Sequence, residues 1–174
     1  MIIRDAVAAD LAAMASIYDH AIVYSDAIWL DEPIGIEAFA RAVTSLQATG
    51  RSVLVAVDDA TDGSPAPVIV GYASLGPFRT LAGYAATTEH SIFVADGHQG
   101  RGVGQRLLDE LVQRAASEQR RVMVAAIDGT NEGSIRFHER NGFAVVGRLP
   151  GVGTKHGRAL DLVLMQRNLV DGTQ

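Results

Sequence analysis

Apolar residues along the chain follow two spacings, one typical of amphipathic helices and the other of buried strands. Helical spacing marks four segments, Leu11 to Ile22, Gly35 to Gly50, Leu107 to Ala115 and Asn131 to Arg140. Shorter apolar runs predict strands at Ile2–Ile3, Val53–Val57, Val68–Leu75, Ser91–Val94, Val122–Ile127, Phe143–Val146 and Leu160–Met165. The order βααβββαβαββ indicates an α/β fold, a mixed sheet with helices on both faces.

Capping and turn residues set the predicted boundaries. We expect Asp10 to cap the first helix, Gly50 to stop the second, and Asn141-Gly142 to end the fourth in the left-handed conformation. The run Val122–Ile127 is apolar throughout, which indicates an interior strand. The remaining segments predict loops at Tyr24–Trp29, Gly76–Thr88 and Leu149–Arg158 and a hairpin turn at Asp58–Pro67.

Composition limits the class of protein. The 174 residues fit one domain covering 1–174, and a net charge of −5 argues against nucleic acid as the main partner. The absence of cysteine excludes disulfides, thiolate metal sites and a cysteine nucleophile, and the five scattered histidines lack ligand spacing, so we expect no metal. The start, Met1 to Asp5, does not have the pattern of a signal peptide, and no apolar run reaches membrane-spanning length. We therefore expect a cytoplasmic protein that does not bind membranes.

The segment Gln99-Gly100-Arg101-Gly102-Val103-Gly104 lies between a predicted strand and a predicted helix. Three glycines in five positions remove side chains at this turn, so backbone N–H groups can converge on an anion at the helix N-terminus. Neither the Walker loop nor the Gly-x-Gly-x-x-Gly fingerprint fits the spacing. The turn therefore predicts an anion site, and the alternative is a glycine-rich turn that only starts a helix.

This glycine turn matches the Arg/Gln-x-x-Gly-x-Gly/Ala loop of the Gcn5-related N-acetyltransferases (GNAT). Asn131 with Ser134, followed by Asn141-Gly142-Phe143, resembles their second cofactor-side motif. Within that superfamily the chain resembles the phosphinothricin and methionine-sulfoximine N-acetyltransferases. Segments that carry this closer likeness are Ala27–Trp29, Gly71–Ser74, Glu89–Ser91, Ser134–Arg136, His138–Arg140, Gly153–Arg158 and Leu160-Asp161.

The resemblance implies acetyl-CoA-dependent acetylation of the α-amino group of a small amino acid analogue. It also implies a mostly antiparallel sheet that is splayed near its middle strands, with the cofactor in the gap, and a homodimer. One alternative keeps the fold but acetylates another amine, such as a polyamine, an aminoglycoside or a protein N-terminus. A second alternative is an acyl-CoA-binding regulatory module without catalysis.

Cofactor binding is expected in the glycine turn and the strand before it. Backbone N–H groups of residues 99 to 104 would bind the pyrophosphate, helped by the helix dipole. By analogy with the family, the pantetheine arm would pair along Ile92–Val94, and Phe93 or Val94 would donate an N–H to the oxyanion if a β-bulge disturbs the strand. Asn131 would hydrogen-bond the cofactor side of the cleft, alone or as well as capping a helix.

Glu89 is the candidate general base, because it starts the strand that leads into the glycine turn and the family has its catalytic acidic residue there. The alternative is a surface glutamate. His90, which follows it, should point to the opposite sheet face and serve the structure. One departure from the family is Phe137, since many members have a proton-donating tyrosine at this position. Water or His138 would then protonate the leaving thiolate, or the thiolate would leave unassisted.

Substrate recognition requires a cation for the amino acid carboxylate, and arginine is the usual solution. We expect Arg79 to fill this role, with Phe78 and Tyr84 beside it. Related sequences often carry an Arg–His pair where this chain has Ala85-Ala86, so one substrate contact is absent. Trp29 is predicted to form a pocket wall or to pack in the core. Lys155, with its neighbour His156, is expected either to reach the substrate or to lie in a solvated loop.

Overall fold

The computed structural model describes residues 1–58 and 67–170. Within them are four helices, α1 (Leu11–Tyr24), α2 (Gly35–Ala48), α3 (Val103–Ser117) and α4 (Glu132–Arg140). The strands are β1 (Ile2–Asp5), β2 (Val53–Asp58), β3 (Val68–Pro77), β4 (Thr87–Val94), β5 (Val122–Asp128), β6 (Ala144–Lys155) and β7 (Arg158–Asn168). The predicted order of helices and strands is confirmed, with two additional 3₁₀ turns at Ala8–Asp10 and Ala82–Tyr84.

The seven described strands form one sheet in the order β1-β2-β3-β4-β5-β7-β6. Every adjacent pair is antiparallel except β4 and β5, which are parallel. Those two strands pair only over Thr87–Glu89 and Val122–Val124, although both continue further along the sheet. The sheet is therefore mixed, mostly antiparallel and splayed between β4 and β5, as the sequence resemblance implied.

Helices cover both faces of the sheet. Residues of α1 and α2 pack with Val53, Val55 and Tyr72 on one face, and α3 packs with a separate buried cluster on the other. The face of α3 that is fully buried repeats at helical spacing, through Leu107, Leu108 and Leu111. Burial of such apolar faces supplies most of the stability of the layers.

Gly71 determines how closely α3 approaches the sheet. A Cβ atom at this position would lie 2.9 Å from the Phe93 carbonyl oxygen and 3.0 Å from a methyl group of Val103. Only glycine therefore allows the first turn of α3 to pack directly over β3 and β4. This contact places the N-terminus of α3 next to the end of β4.

The predicted loop Leu149–Arg158 is wrong. These residues belong to a long hairpin in which β6 runs to Lys155 and β7 begins at Arg158. The two residues between the strands, His156 and Gly157, have φ angles of 46° and 72°, as a tight type I′ turn requires. Two irregularities in the β6–β7 register accommodate the glycines and proline that suggested a loop.

The predicted helix ends have mixed outcomes. Gly50 and Gly142 have φ angles of 74° and 79° just past α2 and α4, which confirms both stops. Asp10 does not cap α1 with its side chain. Its carboxylate instead accepts a hydrogen bond from the Val7 N–H at 2.8 Å and pairs with Arg4. Hydrogen bonding to that guanidinium lowers the pKa of Asp10.

One predicted loop is shorter than expected, and one predicted turn lies mostly outside the described residues. β3 continues to Pro77 and β4 starts at Thr87, so the loop after β3 is shorter than Gly76–Thr88. The turn predicted at Asp58–Pro67 lies mostly outside the described residues. Among the helices described, none has the length and apolar character needed to cross a membrane.

Candidate active site

The separation of β4 from β5 exposes one row of backbone groups. The register of β4 against β3 runs without interruption from Thr88 to Val94, so the β-bulge expected in β4 is absent there. Since the Ala95 N–H donates to the Val70 carbonyl at 2.9 Å, alternation directs the Phe93 N–H toward β3 as well. The same alternation directs the N–H groups of Ile92 and Val94 into the gap. Of the two expected oxyanion donors, the geometry favours Val94.

The glycine turn forms an open cradle at the start of α3. Gly100 and Gly102 have φ angles of 74° and 82°, and a Cβ atom at either would meet nothing within 4 Å. The first α3 hydrogen bond to a preceding carbonyl runs from Arg106 to Gly102, at 3.1 Å. The N–H groups of Val103, Gly104 and Gln105 therefore have no carbonyl partner in their own helix. Free N–H groups facing open space suit an anionic group.

A cleft of about 650 Å³ joins this cradle to the splayed strands. Most of the residues predicted to bind the cofactor line it, namely Ile92, Val94, Gln99, Gly100, Gly102, Gly104, Asn131 and Ser134. Phe93 lines a neighbouring cleft of about 580 Å³ on the α1 side. Arg101 is exposed on the turn, whereas the Val103 side chain is buried in the core. Val103 therefore offers the cleft its N–H group and not its side chain.

Asn131 caps α4 and also lines the cleft. Its side-chain oxygen accepts a hydrogen bond from the Ser134 N–H at 2.9 Å, which caps α4. The same residue lines the cleft on both sides of the gap. The capping alternative is thus confirmed without excluding a contact with a ligand.

Phe137 and His138 occupy the α4 wall of this cleft. The Nδ1 atom of His138 lies 2.7 Å from the Ser134 carbonyl oxygen, so it carries the proton of the neutral ring. Nε2 of His138 lies 3.2 Å from Nε2 of His90, which is buried. Burial lowers the pKa of His138 and, together with His138, lowers the pKa of His90 to about 3. Both rings are therefore neutral near pH 7, and His138 has no proton free for the cleft.

Glu89 lies at the point where β4 and β5 separate, in a pocket of about 410 Å³. Tyr18, Trp29, Ser91 and Phe93 also line this pocket. Burial raises the pKa of the Glu89 carboxyl group, and the positive charge of Arg79 partly opposes the shift. A carboxylate with a raised pKa at a cleft is suited to accept a proton.

The predicted carboxylate-binding residues lie together beside this pocket. The Arg79 guanidinium stacks 5.2 Å from the Phe78 ring centre, and the Phe78 and Tyr84 rings contact edge to face at 5.8 Å. Arg79 is exposed, and its charge acts on Glu89. An exposed cation that packs on one aromatic ring near Glu89 is available to an incoming anion.

Trp29 packs against β6 and also lines the Glu89 pocket. Its ring packs against β6 so closely that a Cβ atom on Gly153 would lie 2.1 Å from two ring carbons. The indole N–H donates to the Asp26 carbonyl at 3.0 Å, which fixes the ring. The exposed part of the ring forms a wall of the Glu89 pocket.

Lys155 does not reach the substrate pocket, which corrects that expectation. The side chain is 2% exposed, and its ammonium group donates to the carbonyls of Ile22, Ser25 and Ile28 at 2.6, 2.6 and 2.9 Å. All three N–H donors are thereby used, so none remains for a substrate. Lys155 instead fixes the segment that carries Trp29. Its neighbour His156 is exposed, and its N–H donates to Asp31 at 2.7 Å.

Asp128 is a residue of the pocket that sequence reasoning missed. It ends β5 and lines the Glu89 pocket together with Ala126. The only signal in the sequence was its position after an apolar strand, and that position is equally common for residues that start a turn.

A model of the acetyltransferase (GNAT) family matches residues 14–143. The chain belongs to this family. It is 40% identical over all of its length, and 97% of the relative's, to an L-amino acid N-acyltransferase MnaT of Escherichia coli. It is also 40% identical, over 97% of this chain and 95% of the relative, to an L-methionine sulfoximine/L-methionine sulfone acetyltransferase of Salmonella typhimurium.

A solved member of the family supports the same placement of the fold. The structure of a phosphinothricin acetyltransferase from Sinorhizobium meliloti in complex with acetyl-CoA superimposes with a TM-score of 0.91. It is 34% identical to this chain, with 99% of this chain and 90% of the other covered. This chain therefore has the GNAT fold, and its own sheet is splayed between β4 and β5.

Proposed function

We propose that the protein transfers the acetyl group of acetyl-CoA to the α-amino group of a small amino acid analogue of the methionine sulfoximine, methionine sulfone or phosphinothricin type. The observation that carries the proposal is the meeting of two sites at β4. The open glycine turn and its cleft lie on one side, and a pocket with a half-buried carboxylate and a nearby arginine lies on the other. The names of the full-length relatives support this substrate class.

The cradle fits the diphosphate of the cofactor. The space in front of Gly100 and Gly102 is open, and the N-terminus of α3 adds a partial positive charge. In this proposal the N–H groups of the turn hold the diphosphate, and the gap beside Ile92 and Val94 holds the pantetheine arm. When bound, acetyl-CoA supplies an acetyl group activated as a thioester.

Glu89 accepts the proton that the substrate amine must lose, directly or through a water molecule. The raised pKa of this carboxyl group makes its conjugate base stronger than that of an exposed glutamate. The Val94 N–H, which points into the gap, donates to the acetyl oxygen as negative charge develops there. Phe137 has no proton to give and His138 has its proton on Ser134, so water protonates the thiolate.

Arg79 binds the substrate carboxylate. It is exposed near Glu89, and its guanidinium group packs on the Phe78 ring, which Tyr84 contacts edge to face. The segment Ala85-Ala86 offers no side-chain donor, so Arg79 is the only cationic residue of the loop between β3 and β4.

We also propose that the protein acts as a homodimer that uses the β6 edge. β6 is the last strand of the sheet, and Val146 and Val152 on it are 58% and 52% exposed. A long exposed strand edge with apolar side chains is a surface on which a second copy packs favourably.

A thiol-release assay tests the proposed reaction. Wild-type protein with acetyl-CoA should release coenzyme A with methionine sulfoximine, methionine sulfone or phosphinothricin, and not with polyamines or aminoglycosides. Arg79→Ala should lower kcat/KM for these substrates by roughly 10- to 100-fold, because it removes hydrogen bonds to a charged group.

The same assay separates the alternatives. Turnover only with amines that lack a carboxylate would refute the substrate assignment. Coenzyme A binding without turnover of any amine would instead indicate a regulatory acyl-CoA-binding module.

A further inference from the structure

Asp128 has one carboxylate oxygen in use and one without a partner. Oδ1 accepts hydrogen bonds from the Thr130 N–H at 2.8 Å and from the Thr130 hydroxyl group. Oδ2 is buried and has no hydrogen-bond partner among the described residues, and the whole residue is only 5% exposed. The hydrogen bonds that stabilise the turn after β5 therefore use only Oδ1 of this carboxylate.

The unpartnered oxygen costs stability unless something binds it. A buried acceptor without a donor costs about 1–3 kcal/mol. No cationic side chain in the described chain forms an ion pair with Asp128. A carboxylate left in this state beside a cavity indicates a ligand that brings its own donor.

Asp128 also lies where two cavities adjoin. It lines the Glu89 pocket of about 410 Å³ and a smaller cavity of about 150 Å³ between β4 and β5. Asn131 and His138 line the smaller cavity, on the cofactor side of the gap. The residue is thus placed where the amine must meet the acetyl group if the proposed function holds.

The strand register puts Asp128 on the same face as Glu89. Glu89 is paired with Val124, and alternation along β5 places Ala126 and Asp128 on the face of Val124. Four residues of strand separate the Val124 and Asp128 Cα atoms by about 13 Å. Glu89 and Asp128 therefore stand at the two ends of one pocket, with room for a small amino acid between them.

We propose that Oδ2 of Asp128 binds the ammonium group of the substrate. This inference rests on the proposed function, whose substrates carry one ammonium group with three N–H donors. Arg79, near Glu89, takes the carboxylate, and Asp128 takes one N–H of the ammonium. A second N–H gives its proton to Glu89 through water molecules, so the neutral nitrogen is held at Asp128 as the N–C bond forms and the C–S bond breaks. The remaining excess proton on the nitrogen passes through water to the thiolate. A buried carboxylate prefers this cation to a neutral amide donor.

Asp128→Asn is the direct test, because it keeps the Oδ1 acceptor that Thr130 needs and replaces Oδ2 with an N–H donor. We expect the KM of the amine to rise at least 10-fold. The KM of acetyl-CoA and the calorimetric Kd of coenzyme A should stay within twofold of wild type. Calorimetric titration of the amine into the coenzyme A complex should show the same loss. Asp109→Asn, on the exposed face of α3, is the matched control and should change none of these values.

A ligand without the amine makes the test specific. 4-(Methylsulfonyl)butanoate has the carboxylate and sulfone of methionine sulfone but no ammonium group. Its inhibition constant should be equal for wild type and Asp128→Asn. An equal weakening of both ligands would overturn the proposal, since it would show that the substitution only distorts the pocket. An unchanged amine KM, or a rise confined to the KM of acetyl-CoA, would also overturn it.

Different results would refute the proposed function and the role of Asp128. The amine used is whichever one the wild type acetylates best in the panel. If that amine lacks a carboxylate, the substrate assignment fails, yet the loss of ammonium binding in Asp128→Asn still supports the role of Asp128. If the wild type acetylates methionine sulfone and Asp128→Asn does so with unchanged KM, only the role of Asp128 is refuted.

Discussion

At the scale of single residues, Glu89 shows how burial prepares a side chain for chemistry. Its pocket removes water from the carboxylate, and this raises its pKa, while Arg79 keeps the shift limited. The group is therefore a stronger base than an exposed glutamate. The position of Glu89 near the start of β4 could be predicted from the sequence, but its burial depends on α1 and on the segment of Trp29.

Glu89→Gln should abolish most of the activity. The variant keeps the size of the side chain and cannot accept a proton, so we expect kcat/KM to fall by about 10²–10⁴. The Kd of coenzyme A, measured by calorimetry, should not change. In the wild type, kcat/KM should fall as pH decreases through the raised pKa of Glu89. Glu132→Gln, on the exposed surface of α4, is the control, and an equal loss in it would contradict the assignment.

His90 links stability to pH. Its folded-state pKa of about 3 lies below the usual 6.5, so the unfolded chain binds more protons than the folded chain between these values. The contribution of neutral His90 is fully present above pH 6.5 and is lost as pH falls toward 3. In urea titrations, His90→Phe should lose less stability than wild type over this range. An equal acid loss in both proteins would contradict a neutral buried His90.

At the scale of elements, the cradle depends on the first turn of α3. A Cβ atom on Gly104 would lie 3.9 Å from the Phe137 ring and from a Val94 methyl group, an ordinary contact distance. Any atoms beyond it enter the cleft between α3 and α4. The absence of a side chain at this position keeps the cleft open beside the free N–H groups.

Gly104→Leu should therefore weaken cofactor binding. We expect the KM of acetyl-CoA to rise at least 10-fold, because the side chain fills the space in front of the cradle. Gly104→Ala adds only the Cβ atom and should bind nearly as the wild type does, with a helix favoured by about 1 kcal/mol. Unchanged coenzyme A affinity in the leucine variant, measured by calorimetry, would place the cofactor elsewhere.

The β6–β7 hairpin holds the segment between α1 and α2. Lys155 donates to the Ile22 carbonyl in α1 and to the Ser25 and Ile28 carbonyls of that segment. Arg158 donates to both carboxylate oxygens of Asp26 at 2.9 Å. This arrangement lets a surface hairpin position Trp29 in the pocket wall. The hairpin thereby connects the edge of the sheet with the substrate side of the site.

Lys155→Met should destabilise the fold by about 3 kcal/mol or more. It leaves buried carbonyl groups without donors, and each such group costs about 1–3 kcal/mol. Urea unfolding followed by circular dichroism measures the change. The KM of the amine should also rise, since Trp29 loses its support. Arg158→Met removes an exposed ion pair worth under about 1 kcal/mol and serves as the comparison. Equal stabilities of the two variants would show that Lys155 does not anchor the segment.

At the scale of the whole molecule, the sheet has unequal edges. β1 is four residues long, whereas β6 has twelve and is exposed over most of them. An edge of this length is normally paired, covered or charged in stable proteins. This asymmetry supports the proposed dimer across β6.

Val146→Lys combined with Val152→Lys should convert a dimer into a monomer. The substitution places two charges on a surface that would be buried between copies, where they lack partners. Light scattering after gel filtration measures the mass of both proteins. Ile2→Lys on β1, where Ile2 is 60% exposed, is the matched control and should leave the mass unchanged. A monomeric wild type at micromolar concentration would refute the proposal.

The local pattern was sufficient for the order of elements, the stops at Gly50 and Gly142 and the glycine cradle, because spacing and backbone freedom are properties of neighbouring residues. It failed for the segment after Leu149, where a glycine-rich composition indicates a loop and strand pairing with β7 overrides that preference. The predicted cap of α1 by Asp10 was also wrong, because the Asp10 carboxylate accepts hydrogen bonds from Arg4 and from the Val7 N–H instead.

The sequence by itself determined the fold family and the open glycine turn, and it supplied the predictions for Glu89 and Arg79. Tertiary structure alone decided which distant groups meet. His90 contacts His138 across 48 positions, and Lys155 contacts Ile22 across 133. The unpartnered Oδ2 atom of Asp128 could be recognised only from the structure, where β4 and β5 separate. Burial and pKa depend on neighbours that the fold brings together, so no local pattern contains them.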